Sequence, residues 1–437
     1  MHTQTTVSLF AVLPRGNLAV LTVTAALGSL SSIALAFLPV YFTALGGSVT
    51  QYGLITAAGM AAGIPSTVIG GVIVPRFGLR RIAIATSWLA PVLLLGYYFS
   101  GNWVALSVVM ILAGASTVGS IASRQLIADA TTAKSRAGQL SLYQTLAGVP
   151  AMLSPAIGGY LVTTMGAIEG FRLAILVAVA ASVASSIFLV RFLKVASRKL
   201  ESAEAAPLPE VQDLQSQESR QTNDFSHSRQ KPLSHFQTFF KNSTSLPKVL
   251  APLLAAYGLV VMANSITGPY FIFYATNVAK MDSFHWGLIL SLQVILANII
   301  RTPLGMVVDK IDKKKAILIS ILLTAPLASV FVFVNSFWAI LAVSLAMVAT
   351  GIYYTPTHES LQIELTPREK RPALFAIYDV ISNISKFGGV LLGAVLFATS
   401  YALPFYMFSI IELAAAAVIL IAFFGVRKFS SQMHANQ

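Results

Sequence analysis

The sequence predicts an all-α membrane protein: twelve transmembrane helices arranged as two pseudo-symmetric six-helix bundles. Three observations lead there. The 437 residues are 56% hydrophobic and only 10% charged, against about 25% charged in an ordinary soluble domain, and mean hydropathy is +0.76. The basic residues fall in alternate loops, as the topology of a multi-pass protein requires. Landmarks of the first half also return in the second. Glu364 follows Asp129 by 235 positions, and Arg371, Tyr378 and Gly393 follow Arg136, Tyr143 and Gly158 by the same 235.

Composition also narrows the function. A net charge of +13 would suggest nucleic acid in a soluble protein. Here it reflects basic loops on one membrane face, and no nucleic-acid partner is expected. The chain has no cysteine, so disulfides and thiolate metal sites are excluded. The six histidines lack ligand-like spacing, and neither metal nor cofactor is expected. No Gly-x-x-x-x-Gly-Lys-Ser/Thr run and no nucleophile constellation occur, so neither an ATPase motor nor an enzyme is expected.

A spanning helix needs roughly 20 apolar residues. Candidate spans run near 18–45, 51–74, 82–99, 103–128, 138–162 and 171–193, then 248–275, 285–308, 316–334, 337–358, 373–398 and 403–425. All are read as helices, since at this length only a helix pairs its own backbone polar groups within one segment. The first run is too long for a signal-peptide core. One set of loops carries Arg15, then Arg76, Arg80 and Arg81, Lys134 and Arg136, the stretch 194–248, Lys310 to Lys315, Arg368 to Arg371, and Arg427 and Lys428. The other set holds almost no base, with only Arg172 and Lys280 near it. The positive-inside rule places the basic set and both termini in the cytoplasm of a cell-membrane protein.

Three domains are expected: a six-helix bundle at 1–193, a cytoplasmic linker at 194–247, and a second bundle at 248–437. Residues 196–231 are rich in Ser, Gln, Glu and Arg, which reads as largely disordered linker. Residues 233–240 have helical apolar spacing. They are either a membrane-surface helix or a plain lead-in to the seventh span.

Two turns echo each other. The later holds Gly305, Asp309, Lys310, Asp312 and Lys313 to Lys315; the earlier holds Gly71, Pro75, Arg76, Gly78, Arg80 and Arg81. With six charges in seven residues over 309–315, the later turn must sit in water. These residues resemble the major facilitator superfamily of secondary transporters, over the whole chain except the linker. That family carries Gly-x-x-x-Asp-Arg/Lys-x-Gly-Arg/Lys-Arg/Lys between helices two and three of each half. The later copy here has Asp312 at the usual second Gly, and the earlier has Pro75 at the usual Asp. Asp129 with Arg136 and Glu364 with Arg371 look like the family's cytoplasmic charge clusters. The run Ser154-Pro155-Ala156-Ile157-Gly158-Gly159 is similar to the Gly-Pro-x-x-Gly-Gly ending seen in proton-driven efflux members.

The resemblance implies alternating access, with a cytoplasmic latch in which an acid caps a neighbouring helix. Asp309 suits that role against the start of the fifth helix and Pro75 does not, so an asymmetric latch is expected. Gly71, Arg76, Gly78, Arg80, Asp129, Arg136, Gly305, Asp309, Lys310, Glu364 and Arg371 are its candidate gating residues. Lys313 to Lys315 are expected only to fix topology.

Charged groups inside spans are costly and mark function or pairing. Asp379, Asn383 and Lys386 share one face of the eleventh span at i, i+4 and i+7. Arg124 lies near the inner end of the fourth span, Arg301 in the inner third of the eighth, and Glu412 mid-way along the twelfth. Depth suggests pairing Asp379 with Arg301 and Lys386 with Glu412. Ser29, Ser32, Ser120, Asn264, Tyr270, Tyr274, Tyr353, Tyr354, Gln144 and Gln293 are candidates to complete a midplane pocket. The expected function is proton-coupled export of small amphipathic compounds by a monomer in the lipid bilayer. Proton-linked import of a small metabolite, with Lys386 and Arg124 favouring an anion, and a non-transporting membrane sensor stand as alternatives.

Overall fold

A computed structural model describes residues 15–116, 118–131, 136–194, 250–308, 311–366 and 371–425. The linker expected at 194–247 lies outside them save for Lys194, as do Asp309 and Lys310. Among the described residues the chain is helical, and nine helices are long and apolar enough to cross a membrane. The remaining three expected spans are the second, fourth and fifth. The second is one helix, Val49–Phe77, rich in Gly, Ser and Thr. The fourth is Trp103–Ala115 followed by Val118–Ala130, and the fifth is Arg136–Gly148 followed by Ser154–Met165. Together the twelve spans form the predicted pair of six-helix bundles.

The breaks have local causes. Proline lacks an N–H and clashes with the preceding turn. In the first span a short helix starts at Leu38–Ala44 with Pro39 in its first turn. In the fifth, Pro150 and Pro155 flank a 3₁₀ turn at Pro150–Met152. In the seventh, helix Leu250–Thr267 passes into a 3₁₀ turn at Gly268–Tyr270 containing Pro269, and then into a π turn at Tyr274–Val278.

The echoed turns are shorter than the sequence suggested. The second span runs helically through Pro75 and Arg76 to Phe77, and Gly71 is helical. Only Gly78, at φ 86°, turns the chain into the third span, Leu79–Phe99. An L-residue rarely adopts that φ, so glycine is needed there. The eighth span likewise carries Gly305 within helix Ser283–Val308. Asp312 replaces the second glycine by capping: its Oδ1 accepts from the N–H groups of Lys314 and Lys315 at 3.1 and 3.4 Å. Three lysines at a helix N-terminus oppose the helix dipole, and the aspartate offsets them.

Packing repeats between the bundles. The first span packs on the fifth and sixth, the third on the sixth, and the second on the fourth. The seventh packs on the eleventh and twelfth, the ninth on the twelfth, and the eighth on the tenth. Between bundles, the second span packs on the eleventh and the fifth on the eighth. Shifting each span by six exchanges those two interfaces.

The face opposite the basic turns is closed by a large apolar cluster. It joins Phe37, Tyr41, Phe42 and Tyr52 of the first bundle to Tyr270, Phe273, Trp286 and Phe397 of the second, all buried. Two hydrogen bonds cross there: Phe284 N–H to Thr163 Oγ1 at 2.9 Å and Ala156 N–H to Ser291 Oγ at 3.0 Å. Ala156 lies in the first turn after the fifth-span break, where backbone N–H groups lack helical partners. A side chain of the other bundle satisfies one.

Candidate functional site

Three cavities meet at Lys386. One of about 390 Å³ lies between the bundles, lined by Thr56, Met60, Tyr97, Met110, Asn383 and Lys386 among others. A second of about 440 Å³ is lined by Pro39, Tyr52, Asn264, Trp286 and Lys386. A third of about 480 Å³ lies inside the second bundle, lined by Tyr257, Asn264, Ser320, Thr324, Tyr354, Lys386 and Glu412. The surroundings are apolar and aromatic with sparse polar groups, the usual make-up of a small-molecule site. The eleventh span delivers Lys386 because helix Arg371–Thr399 packs on both the seventh span of its own bundle and the second span of the other.

Nearer the basic face, Arg124 Nη1 lies 3.7 Å from Asp379 Oδ1, with the side chains 74% and 54% exposed. This ion pair joins the fourth span to the eleventh and so one bundle to the other. Glu359 of the tenth span also interacts electrostatically with Arg124. Arg124, rather than the expected Arg301, is therefore the partner of Asp379. Depth orders residues along the membrane normal, but azimuth decides contact, and Arg301 is half-buried on the eighth span. Lys386 and Glu412 share a cavity, but the expected pair between them does not form, for no ion pair within 4.0 Å joins them.

Other expected residues divide. Asn264 and Tyr354 line the second-bundle cavity. Tyr270 instead belongs to the closed face: it is fully buried, its ring stacks on Phe397 at 4.8 Å, and its Oη donates to the Val390 carbonyl at 3.4 Å. The 3₁₀ break ending at Tyr270 turns that ring toward the eleventh span. Tyr274 donates to the Val332 carbonyl within its own bundle. Gln293 donates to the Ser344 carbonyl at 3.5 Å. Gln144 is exposed on the fifth span, and Tyr353 is half-buried at the tenth-span kink. Ser29 and Ser32 donate to carbonyls of their own span. The side chain of Ser120 lies outside the described residues.

At the basic face Lys313 pairs with Glu364 across the ninth and tenth spans. Lys313 thus does more than fix topology, and Glu364 makes its contact within one bundle. Arg76, Arg80 and Asp129 are exposed. The side chains of Arg136 and Arg371, like Asp309 and Lys310, lie outside the described residues.

Sequence reasoning passed over His358 and its neighbours Tyr257 and Gln362, and took Tyr354 only as a pocket residue. The ring of His358 is buried and stacked between Tyr257 and Tyr354 at 5.3 and 5.1 Å, with Gln362 hydrogen-bonded to its Nδ1. The signal was the spacing of Tyr354, His358 and Gln362 at i, i+4 and i+8, one face of one helix. Glu359 was passed over as well, because it lies one residue beyond the expected tenth span at 337–358.

Comparison with known proteins agrees with this architecture. The Major Facilitator Superfamily model matches residues 19–297 and 253–434. The uncharacterized MFS-type transporter YhjO of Bacillus subtilis (strain 168) is 26% identical over 167 residues, which are 38% of this chain and 40% of that protein. The matched stretch thus spans well under half of that relative. Among solved structures, the human organic anion transporter MFSD10 (TETRAN) superposes with a TM-score of 0.62 at 15% identity, covering 92% of this chain and 98% of that one. A peptide transporter POT in complex with sulfate gives 0.67 at 16% identity, covering 95% and 96%. At such identities these likenesses speak for the fold alone. With the family model spanning both bundles, the chain belongs to the major facilitator superfamily and is a secondary transporter, not an enzyme.

Proposed function

We propose that the chain exports small amphipathic organic compounds in exchange for protons, by rocking its bundles at 1–193 and 248–437 about the cavity at Lys386. The observation that carries this reading is the Arg124–Asp379 pair between the bundles. Exposed pairs contribute about 0.2–1 kcal/mol. That is too little to hold a fold together, but it biases a two-state equilibrium by up to about fivefold. Protonating Asp379 removes the attraction to Arg124 and lets the bundles part on that face. Arg124 then keeps only its attraction to Glu359 across the same seam, so protonation weakens the latch without abolishing it.

Several features support the rest. Positive-inside asymmetry puts the basic face in the cytoplasm of a cell-membrane protein. The closed aromatic face then looks outward and the Arg124–Asp379 pair looks inward. One copy of the chain lines the whole cavity, which suits a monomer in the bilayer. The cavity walls of Met60, Met110, Tyr52 and Trp286 suit an amphipathic cargo. The Ser154-to-Gly159 run, similar to proton-driven efflux members, favours export. A second reading is import of a small anionic metabolite. It is favoured by Lys386, which has no counter-ion within 4.0 Å among the described residues.

The test is flux in proteoliposomes holding the purified chain, with a panel of amphipathic fluorescent dyes and of small organic anions. An imposed pH gradient is expected to drive dye movement against the proton flow. Asp379→Asn is expected to abolish that acceleration while leaving exchange at equal pH. Wild-type flux indifferent to the gradient would remove proton coupling. Unchanged flux in Asp379→Asn would remove Asp379 from the mechanism. Anion movement with the protons would establish the second reading.

A further inference from the structure

The cavity inside the second bundle has a use that transport about Lys386 alone does not require. Its wall carries oxygen acceptors beside a few donors, among them the Tyr354 hydroxyl, which is buried without a hydrogen-bond partner among the described residues. Glu412 is 2% exposed and makes no hydrogen bond or ion pair with a described residue, although it lines the cavity. The hydroxyl proton of Ser320 goes to the Thr350 carbonyl, and that of Thr324 goes to the Ser320 carbonyl at 2.8 Å. Asn264 donates one Nδ2 hydrogen to the Val260 carbonyl at 2.9 Å, which leaves its Oδ1 available as an acceptor beside the second N–H. Acceptor oxygens of Glu412, Asn264, Ser320 and Thr324 are thus available on the wall, and Lys386 stands where the lobe joins the central cavity. Ser409, one turn before Glu412, is tied to the ninth span through the Ala325 carbonyl and Ser329. That anchor holds the carboxyl toward the cavity.

A buried carboxylate without a cation costs several kcal/mol. A cavity with such a group at one end and an ammonium at its mouth matches a ligand carrying both charges. We propose that this lobe is a subsite for a protonated amine nitrogen. The transported compound is then a zwitterion, with its acidic group at Lys386 and its ammonium at Glu412, Asn264 Oδ1 and the hydroxyls. This rests on the reading above that Lys386 lies in the transport cavity.

The test uses the purified full chain in sodium-free buffer and reads thermal shift against concentration. The probes are phenylalanine and leucine, each as the free amino acid, the N-acetyl derivative and the amide. The free amino acids are expected to bind tightest. Glu412→Gln should weaken them about tenfold or more, to the level of the N-acetyl compounds, and Glu412→Asp should restore part of the difference. Lys386→Gln should bring them to the level of the amides. Should Glu412→Gln fail to yield a monodisperse protein, Asn264→Leu takes its place, with the same selective loss expected. An unchanged ranking in these variants, or no shift from any free amino acid, overturns the proposal. So does stabilisation by sodium chloride that Glu412→Gln abolishes, which would make the lobe an ion site. In either case pH-driven dye flux would still stand, so the lobe can fail without the transport reading failing.

Discussion

Arg124 and Asp379 meet across two bundles at 3.7 Å with more than half of each side chain in contact with solvent. Such a pair matters through its sign and place rather than its strength. Reversing it with Arg124→Asp and Asp379→Arg tests that directly. Each single variant puts two like charges together and is expected to slow pH-driven flux by tenfold or more. The double variant is expected to recover at least a third of the wild-type rate. No recovery would mean that the residues act separately. Here the sequence was legible in part. The i, i+4, i+7 face of Asp379, Asn383 and Lys386 could be read directly, because helical periodicity fixes it. The partner could not, because arginines on two different spans lie at similar depth and only the packing of the eleventh span on the second turns Asp379 toward Arg124. Tyr270 shows the same gap: an aromatic near the midplane looks like a pocket wall until the break at Pro269 points it into the closed face.

At the scale of elements, the closed face depends on close approach between helices. Gly287 of the eighth span abuts the fifth span, and a Cβ there would sit 2.3 Å from the Pro155 carbonyl oxygen. That oxygen is backbone and cannot rotate away. Gly53 holds the matching place on the second span, where a Cβ would fall 2.7 Å from that of Ala394. Gly287→Ala is therefore expected to separate the seam and shift the population toward the state open on this face. The native chain has no cysteine, so a single Ser291→Cys reports cleanly. Its maleimide labelling is expected to rise several-fold when Gly287→Ala is added, and an unchanged rate would show that the seam yields elsewhere. The spans themselves were legible from length and hydropathy. Their internal breaks were legible only where proline marked them, as at Pro39, Pro150 and Pro269. Gly71 and Gly305, which looked like the starts of turns, continue helices because their neighbours complete the hydrogen-bond ladder up to Phe77 and Val308.

The whole molecule repeats itself, and the repeat carries the mechanism. Constant 235-residue spacing between landmarks was visible in the sequence because each bundle keeps the same order and length of spans. The two inter-bundle interfaces, second on eleventh and fifth on eighth, could not be read that way. They arise only when the bundles face each other, and they are exchanged by the same symmetry. Two equivalent hinged seams around one cavity favour rocking of near-rigid bodies over local unwinding, since packed helices switch between discrete arrangements more easily than they deform. A covalent tie across the closed face separates these options. Thr163 Oγ1 and Phe284 N lie 2.9 Å apart, so the two spans touch there, and Thr163→Cys with Phe284→Cys is the pair for an oxidative cross-link, its formation checked by gel mobility before flux is read. Oxidation is expected to abolish net flux while leaving ligand-induced thermal stabilisation in place, because the bundles remain free to part at the basic face. Reduction is expected to restore flux. Continued transport by the oxidised protein would mean that cargo passes without separation of the bundles at this seam, and rigid-body rocking would have to be given up.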